Sequence, residues 1–369
     1  MRLIAIGMIF TTLMLHVAIA MAGEPEDPGT KIENFGTNPG SLGMYLYAPE
    51  DVPQNAPLVL SLHGSNMTAA GQAEITHWAK LADAWKFYVV HVEALSGGCH
   101  SYGNPMLVTC FNSTDPGNYK RGMGEAASIM EMVDYVRNNY SINNKRIYIT
   151  GFSSGGLMSM AMIAAYPDVF ASGGIIAGGP FFGDLGEDDA DTATPEEWKA
   201  RFQESYPEYE GEYPPVLFYA GQKDIMLPSG YPQYLLSQLK AIHGIEGDAD
   251  TTETVEPYTT INTYVKDGKT VIKHYDISNI GHAIPVDPGN GEEQGGLVPF
   301  KFMYAMLAKD VDLYLPYHIA KFWGLDQPAD GEEGSEEPEG SEEPEGSEEP
   351  EGSEEPEGSE EPEGSEEPE

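Results

Sequence analysis

The segment Thr150-Gly151-Phe152-Ser153-Ser154-Gly155-Gly156 contains a G-x-S-x-G pattern between an apolar β-type run, Arg146 to Thr150, and a helical run starting near Gly155. In that strand-turn-helix setting the pattern is a nucleophile elbow. The glycines permit a tight turn that leaves a serine hydroxyl exposed at a helix N-terminus. Ser153 is therefore the expected nucleophile, with a plain Gly-rich turn as the alternative. A serine hydroxyl attacks only when a base takes its proton, so an acid and a histidine should follow it in the chain. Asp224 comes just past the apolar run Val216 to Ala220, and His282 follows a run ending near Ile277. Both occupy loops at strand ends, where catalytic side chains of such sheets reside. Asp248 and Asp250 compete for the acid and read otherwise as solvated loop charge. His274 falls inside a strand and His318 inside a helix, which makes them packing histidines.

Acyl transfer also needs donors for the oxyanion. The backbone N–H of Ser154, next to the nucleophile, is one. The other is expected from the loop after an early strand, and Leu58 to Leu62 runs into His63-Gly64-Ser65, which makes the Ser65 N–H the candidate. His63 either braces this loop or contacts substrate.

The elements that must position these groups alternate. Strand-type runs at Leu58–Leu62, Phe87–Val92, Arg146–Thr150, Gly173–Ala177, Val216–Ala220 and Thr270–Ile277 are interleaved with helical patterns. From Gly124 to Asn139, Ala126, Ile129, Met130, Val133 and Val136 recur at helical spacing; further helices are read at Leu157–Ala165, Tyr231–His243 and around His318–Trp323. The pattern predicts an α/β class, with a mostly parallel sheet covered by helices on both faces and no boundary that would split the body in two.

Composition narrows the partners. The 369 residues carry 19 Lys and Arg against 60 Asp and Glu, a net charge of −41, which excludes binding to a nucleic-acid backbone. About half of that charge lies in one place: residues 331–369 hold 20 Glu and no basic residue, and 334–369 are six copies of Gly-Ser-Glu-Glu-Pro-Glu. Lacking apolar residues to bury, the tail from 329 is expected to be disordered. Residues 1–22, with Arg2, an apolar stretch to about Ala20 and the triplets Ala18-Ile19-Ala20 and Ala20-Met21-Ala22, read as a secretory signal peptide, an uncleaved anchor being the alternative. The expected domain thus spans 23–328, exported and free of the membrane after cleavage, whether extracellular or periplasmic. In an oxidising compartment the only two cysteines, Cys99 and Cys110, suggest one disulfide, with two free thiols as the alternative. No His/Cys metal-ligand spacing is visible, so neither a metal nor another cofactor is expected. Sequons occur at Asn66, Asn112 and Asn139; a glycan on Asn66 would obstruct the oxyanion loop, so they read as incidental. The sequence assigns no oligomeric state.

With these residues assembled, the chain resembles the polyhydroxybutyrate depolymerase family of esterases, α/β-hydrolases that include feruloyl and acetylxylan esterases. The resemblance runs through most of residues 40–325. It is carried by Leu62-His63-Gly64, Cys110-Phe111-Asn112, Arg121 to Ile129, Tyr148 to Gly156 and Ala165-Tyr166-Pro167-Asp168-Val169-Phe170-Ala171. Gly281 to Gly289 and Tyr317 to Gly324 look more like the extracellular polyester depolymerases, since the carbohydrate esterases often carry Trp where Ile284 stands. The resemblance implies hydrolysis of hydroxyalkanoate esters, polymeric or oligomeric, through an acyl-Ser153 intermediate. Feruloyl or acetylxylan esterase activity is the alternative, and an inactive binding protein on the same fold is a third reading. Family members often have Cys at the position of Ser65 and Trp at that of Phe111. Those that attack solid polymer generally add a substrate-binding domain where this chain has acidic repeats.

Overall fold

The structure, a computed structural model, describes residues 27–95, 108–183, 189–255, 257–298 and 306–327. The expected signal peptide, Cys99 and the repeat tail lie outside the described residues.

Ten strands form one sheet. In chain order β1 (Thr30–Ile32), β2 (Leu42–Tyr47), β3 (Ala56–Leu62), β4 (Tyr88–Ala94), β5 (Ile142–Phe152), β6 (Ser172–Ile176), β7 (Val216–Gly221), β8 (Thr251–Val255), β9 (Thr259–Lys266) and β10 (Lys269–Ile277), they lie side by side as β1-β2-β4-β3-β5-β6-β7-β10-β9-β8. The six central strands from β4 to β10 pair in parallel, while β1, β2, β8 and β9 add antiparallel edges. The short strands β11 (Ile284–Val286) and β12 (Ala308–Asp310) form a separate parallel pair.

Helices cover both faces. They are α1 (Ala69–Thr76), α2 (Trp78–Trp85), α3 (Pro116–Tyr119), α4 (Gly124–Asn139), α5 (Ser154–Ala165), α6 (Pro195–Gln203), α7 (Tyr231–His243) and α8 (Leu315–Phe322). Successive strand residues point to opposite faces, so every residue of β3 is buried. Leu58, Leu60 and Leu62 join one core with Ile147, Ile149 and the buried side of α4; Val59 joins the other with Tyr148 and Phe152. In that second core Trp323, just past α8, stacks on Tyr148 at 4.9 Å and on Trp78 at 5.8 Å, clamping α8 and α2 onto the sheet. Each aliphatic side chain buried this way contributes roughly 1.5–3 kcal/mol. On α4 the buried stripe includes Met132, while Met130 is only partly covered.

Candidate active site

β5 ends at Phe152 and α5 begins at Ser154, leaving Ser153 alone on the turn at φ 54°, ψ −117°. This left-handed backbone is costly for a non-glycine residue. It is held by the Ser153 N–H donating to Ile176 O at 2.9 Å. The flanking glycines are required by contact. A Cβ on Gly151 would lie 2.2 Å from Gly155 O, and one on Gly155 would lie 2.4 Å from Leu62 O. Backbone from β5, α5 and the end of β3 thus meets where no side chain fits.

Asp224 and His282 arrive from the ends of β7 and β10. Their loops interlock through Gln222 N–H to Ile277 O and Lys223 N–H to Ile280 O, both 3.0 Å. Gly221 makes this crossing possible, since a Cβ there would stand 2.6 Å from Gly281 O. His282 Nε2 lies 2.9 Å from Ser153 Oγ, and His282 Nδ1 lies 2.6 Å from Asp224 Oδ2. The other Asp224 oxygen accepts the N–H groups of Met226 (2.8 Å) and Leu227 (3.2 Å). Burial pushes the Asp224 carboxyl upward, but His282 and those two N–H groups together hold it below its ordinary value. The imidazole leans on Phe152 at 5.0 Å between ring centres. The three residues singled out from the sequence are thus joined in one hydrogen-bonded chain at the carboxyl ends of β5, β7 and β10.

The alternatives lie elsewhere. Asp250 accepts the Val265 N–H at 2.7 Å on the β8–β9 edge, and Asp248 is exposed in the preceding loop. His274 stacks on Phe218 within the core face, and His318 packs beside Tyr275 from α8.

His63 is fully buried, with both ring nitrogens bound to backbone. Nε2 accepts the Ala94 N–H at 2.9 Å, so Nδ1 carries the proton donated to Gly64 O at 2.7 Å. Burial lowers its pKa to about 4, which keeps the ring neutral and this pattern intact. His63 therefore ties the Gly64-Ser65 loop to the end of β4. Asn66 ties the same loop to the segment from Val108: its N–H donates to Thr109 O, and its Oδ1 accepts the Val108 and Thr109 N–H groups. Ser65 and Ser154 carry backbone N–H groups that are left without a backbone partner among the described residues. Ser154 is the first residue of α5, where no preceding turn supplies a carbonyl.

Two features of the site were not read from the sequence. Glu125, in the first turn of α4, is buried and accepts the Asn112 N–H at 2.8 Å; burial raises its pKa to about 7. It anchors the Cys110-Phe111-Asn112 segment, whose Phe111 ring packs against His63 at 5.1 Å. The Arg121-to-Ile129 stretch was visible, but nothing in it marks this glutamate as buried. The second feature is a small, mainly apolar recess lined by Ser113, Leu157, Phe181, Phe182 and Tyr231, with Leu157 one turn past Ser153. Ile284 is buried in β11 rather than lining this recess. Among the described residues one carboxylate cluster could hold a metal ion, Asp287, Asp310 and Asp312, on and beside the β11–β12 pair.

The strand order, the elbow after β5 and the loops at the ends of β7 and β10 define an α/β-hydrolase. The sequence profile of the family described as Esterase PHB depolymerase matches residues 41–191. Poly(3-hydroxyalkanoate) depolymerase C of Paucimonas lemoignei is 36% identical over 303 residues, covering 80% of this chain and 70% of that protein. Acetylxylan esterase A of Aspergillus ficuum is 28% identical over 292 residues, covering 74% and 91%. The solved acetyl xylan esterase from Aspergillus awamori shares the fold with a TM-score of 0.59 at 23% identity, over 68% of this chain and 93% of that one. The chain belongs to the Esterase PHB depolymerase family and is a carboxylic ester hydrolase.

Proposed function

We propose that the protein is an exported serine esterase that hydrolyses hydroxyalkanoate ester bonds, in polymer or oligomer, with Ser153 as nucleophile, His282 as general base and acid, and Asp224 as its orienting carboxylate. Ser153 Oγ attacks the ester carbonyl while His282 Nε2 takes its proton, and Asp224 stabilises the imidazolium through Nδ1–H. The Ser65 and Ser154 N–H groups receive the oxyanion. The leaving alcohol departs with the proton from His282, and the same steps with water release the acid from acyl-Ser153.

The observation that carries this reading is the chain of contacts at 2.6 and 2.9 Å from Asp224 through His282 to Ser153. For the substrate, support comes from the 36% identity to a poly(3-hydroxyalkanoate) depolymerase against 28% to the acetylxylan esterase. The rim agrees with an apolar ester: Ile225 and Met226, directly after Asp224, are 91% and 63% exposed. Residues 1–22 serve as the signal peptide of a catalytic domain spanning 23–328, and Cys99 pairs with Cys110 in the exported protein. Among the described residues no helix is long and apolar enough to cross a membrane.

A substrate panel tests the assignment. Hydroxybutyrate oligomers should be cleaved, with neither ferulate nor acetate released from plant polysaccharide; the reverse pattern would assign the protein to the carbohydrate esterases.

A further inference from the structure

Large apolar side chains left in water are ordinary one at a time and informative where they gather. Nine are exposed among the described residues, and Leu95, Val108, Ile225, Met226, Tyr258 and Met306 account for six of them. Hydrogen bonds or chain adjacency tie each of the six to the catalytic loops. Leu95 follows Ala94, whose N–H donates to His63, and the Val108 N–H donates to Asn66 Oδ1, two residues past Gly64. Ile225 and Met226 come directly after Asp224, which accepts the Met226 N–H. Tyr258 O accepts the Ser278 N–H at 3.0 Å, just past the end of β10 on the way to His282. Met306 precedes Leu307, whose carbonyl accepts the Ile284 N–H at 2.8 Å, two residues past His282. The six therefore form an apolar rim at the end of the sheet that carries Ser153.

The strand order sets the spread of this rim. β4, which leads into Leu95, lies two strands to one side of β5, and β7, which leads into Asp224 and Ile225, lies two strands to the other. Neighbouring strands are about 4.8 Å apart, so each flank stands about 10 Å from the strand that ends at the nucleophile. β9, which Tyr258 precedes, lies two strands beyond β7, and the rim spans about 30 Å in all.

That span selects the occupant. An ester of a few carbons fills the space at Ser153 and reaches neither margin. Anything that covers both flanks also covers the nucleophile, so the occupant must itself present an ester there. It must be apolar to match the rim, and free of negative charge to approach a chain carrying −41. A neutral polyester surface meets all three conditions, whereas an anionic membrane fails the last.

We propose that the catalytic domain docks by this rim onto the surface of solid polyester, which places polymer binding on the same face as the chemistry. That the polymer is a hydroxyalkanoate rests on the function proposed above, while adsorption is a property of the rim alone.

Adsorption of the full-length Ser153→Ala protein to poly(3-hydroxybutyrate) particles tests the proposal, with phosphatidylcholine vesicles as the comparison surface. The protein should bind the particles more tightly than the vesicles, and added salt should not weaken the binding, because the contact is apolar. Leu95→Gln with Tyr258→Gln, at the two margins, should lower the affinity for particles about tenfold, and Ile225→Gln with Met226→Gln should do the same. All four side chains are exposed, so the unfolding midpoints of both pairs should match the parent. No adsorption, adsorption indifferent to the marginal pair, or vesicle binding as tight as particle binding would each overturn the proposal. Release of hydroxybutyrate from soluble oligomers by the unmodified protein tests the catalytic reading separately.

Discussion

Ser153 occupies a backbone conformation that only its surroundings can enforce, and its hydroxyl faces a histidine whose other nitrogen is bound to a half-buried carboxylate. Asp224→Asn should lower kcat on p-nitrophenyl butyrate by about 10⁴-fold with little change in the fold, because an amide can fix the wrong imidazole tautomer. The Asp224 carboxyl is held below its ordinary value, so its contribution to stability is present above the usual carboxylate range and is lost as pH falls through the depressed folded value. Glu125 has the opposite sign. Its folded pKa is raised from 4.5 to about 7, so the folded state is penalised progressively as pH rises from about 4.5 to 7. Thermal unfolding followed against pH should show Glu125→Gln more stable than the parent at pH 8 by on the order of 2 kcal/mol, with the two converging near pH 4.5. Ser153, Asp224 and His282 were legible because each follows a recognisable strand. Glu125 was not, because burial of a carboxylate in a first helical turn leaves no trace in spacing.

At the scale of elements, the site depends on backbones that meet at glycines. Gly155→Ala would press a methyl into the carbonyls of Leu62 and His63, at 2.4 and 2.6 Å. It should destabilise the protein by about 2 kcal/mol or more and depress kcat, measurable by urea unfolding and by ester turnover. The central strands and α4, α5 and α7 could be read from their apolar patterns because they are packed on at least one face. β8 was not legible, since all five of its residues are exposed and no burial shapes its composition. β5 begins at Ile142, four residues before the apolar run, because Asn143 to Arg146 extend past the core. α8 begins at Leu315 with Pro316 in its first turn, where a missing N–H costs nothing; reading the helix from His318 missed that turn.

Over the whole molecule, a net charge of −41 divides between a repeat tail carrying −20 and a remainder carrying −21. Neutral esters approach such a body without electrostatic penalty, and polyanions do not. Truncation after Asp330 should leave turnover of soluble esters unchanged while altering solubility and the salt dependence of behaviour on polymer particles. A changed kcat on small esters would place the tail in catalysis instead. Charge and repeats were plain in the sequence. The apolar rim was not, because it gathers residues from Leu95 to Met306 that only the fold brings together.

The central claim is that ester cleavage passes through an acyl group on Ser153, and rapid-quench reaction with p-nitrophenyl butyrate followed by peptide mass mapping tests it most directly. A burst of p-nitrophenol and butyryl mass on the peptide containing Ser153 are expected, with loss of both in Ser153→Ala. Full turnover by Ser153→Ala, or an acyl group on any other residue, would contradict it.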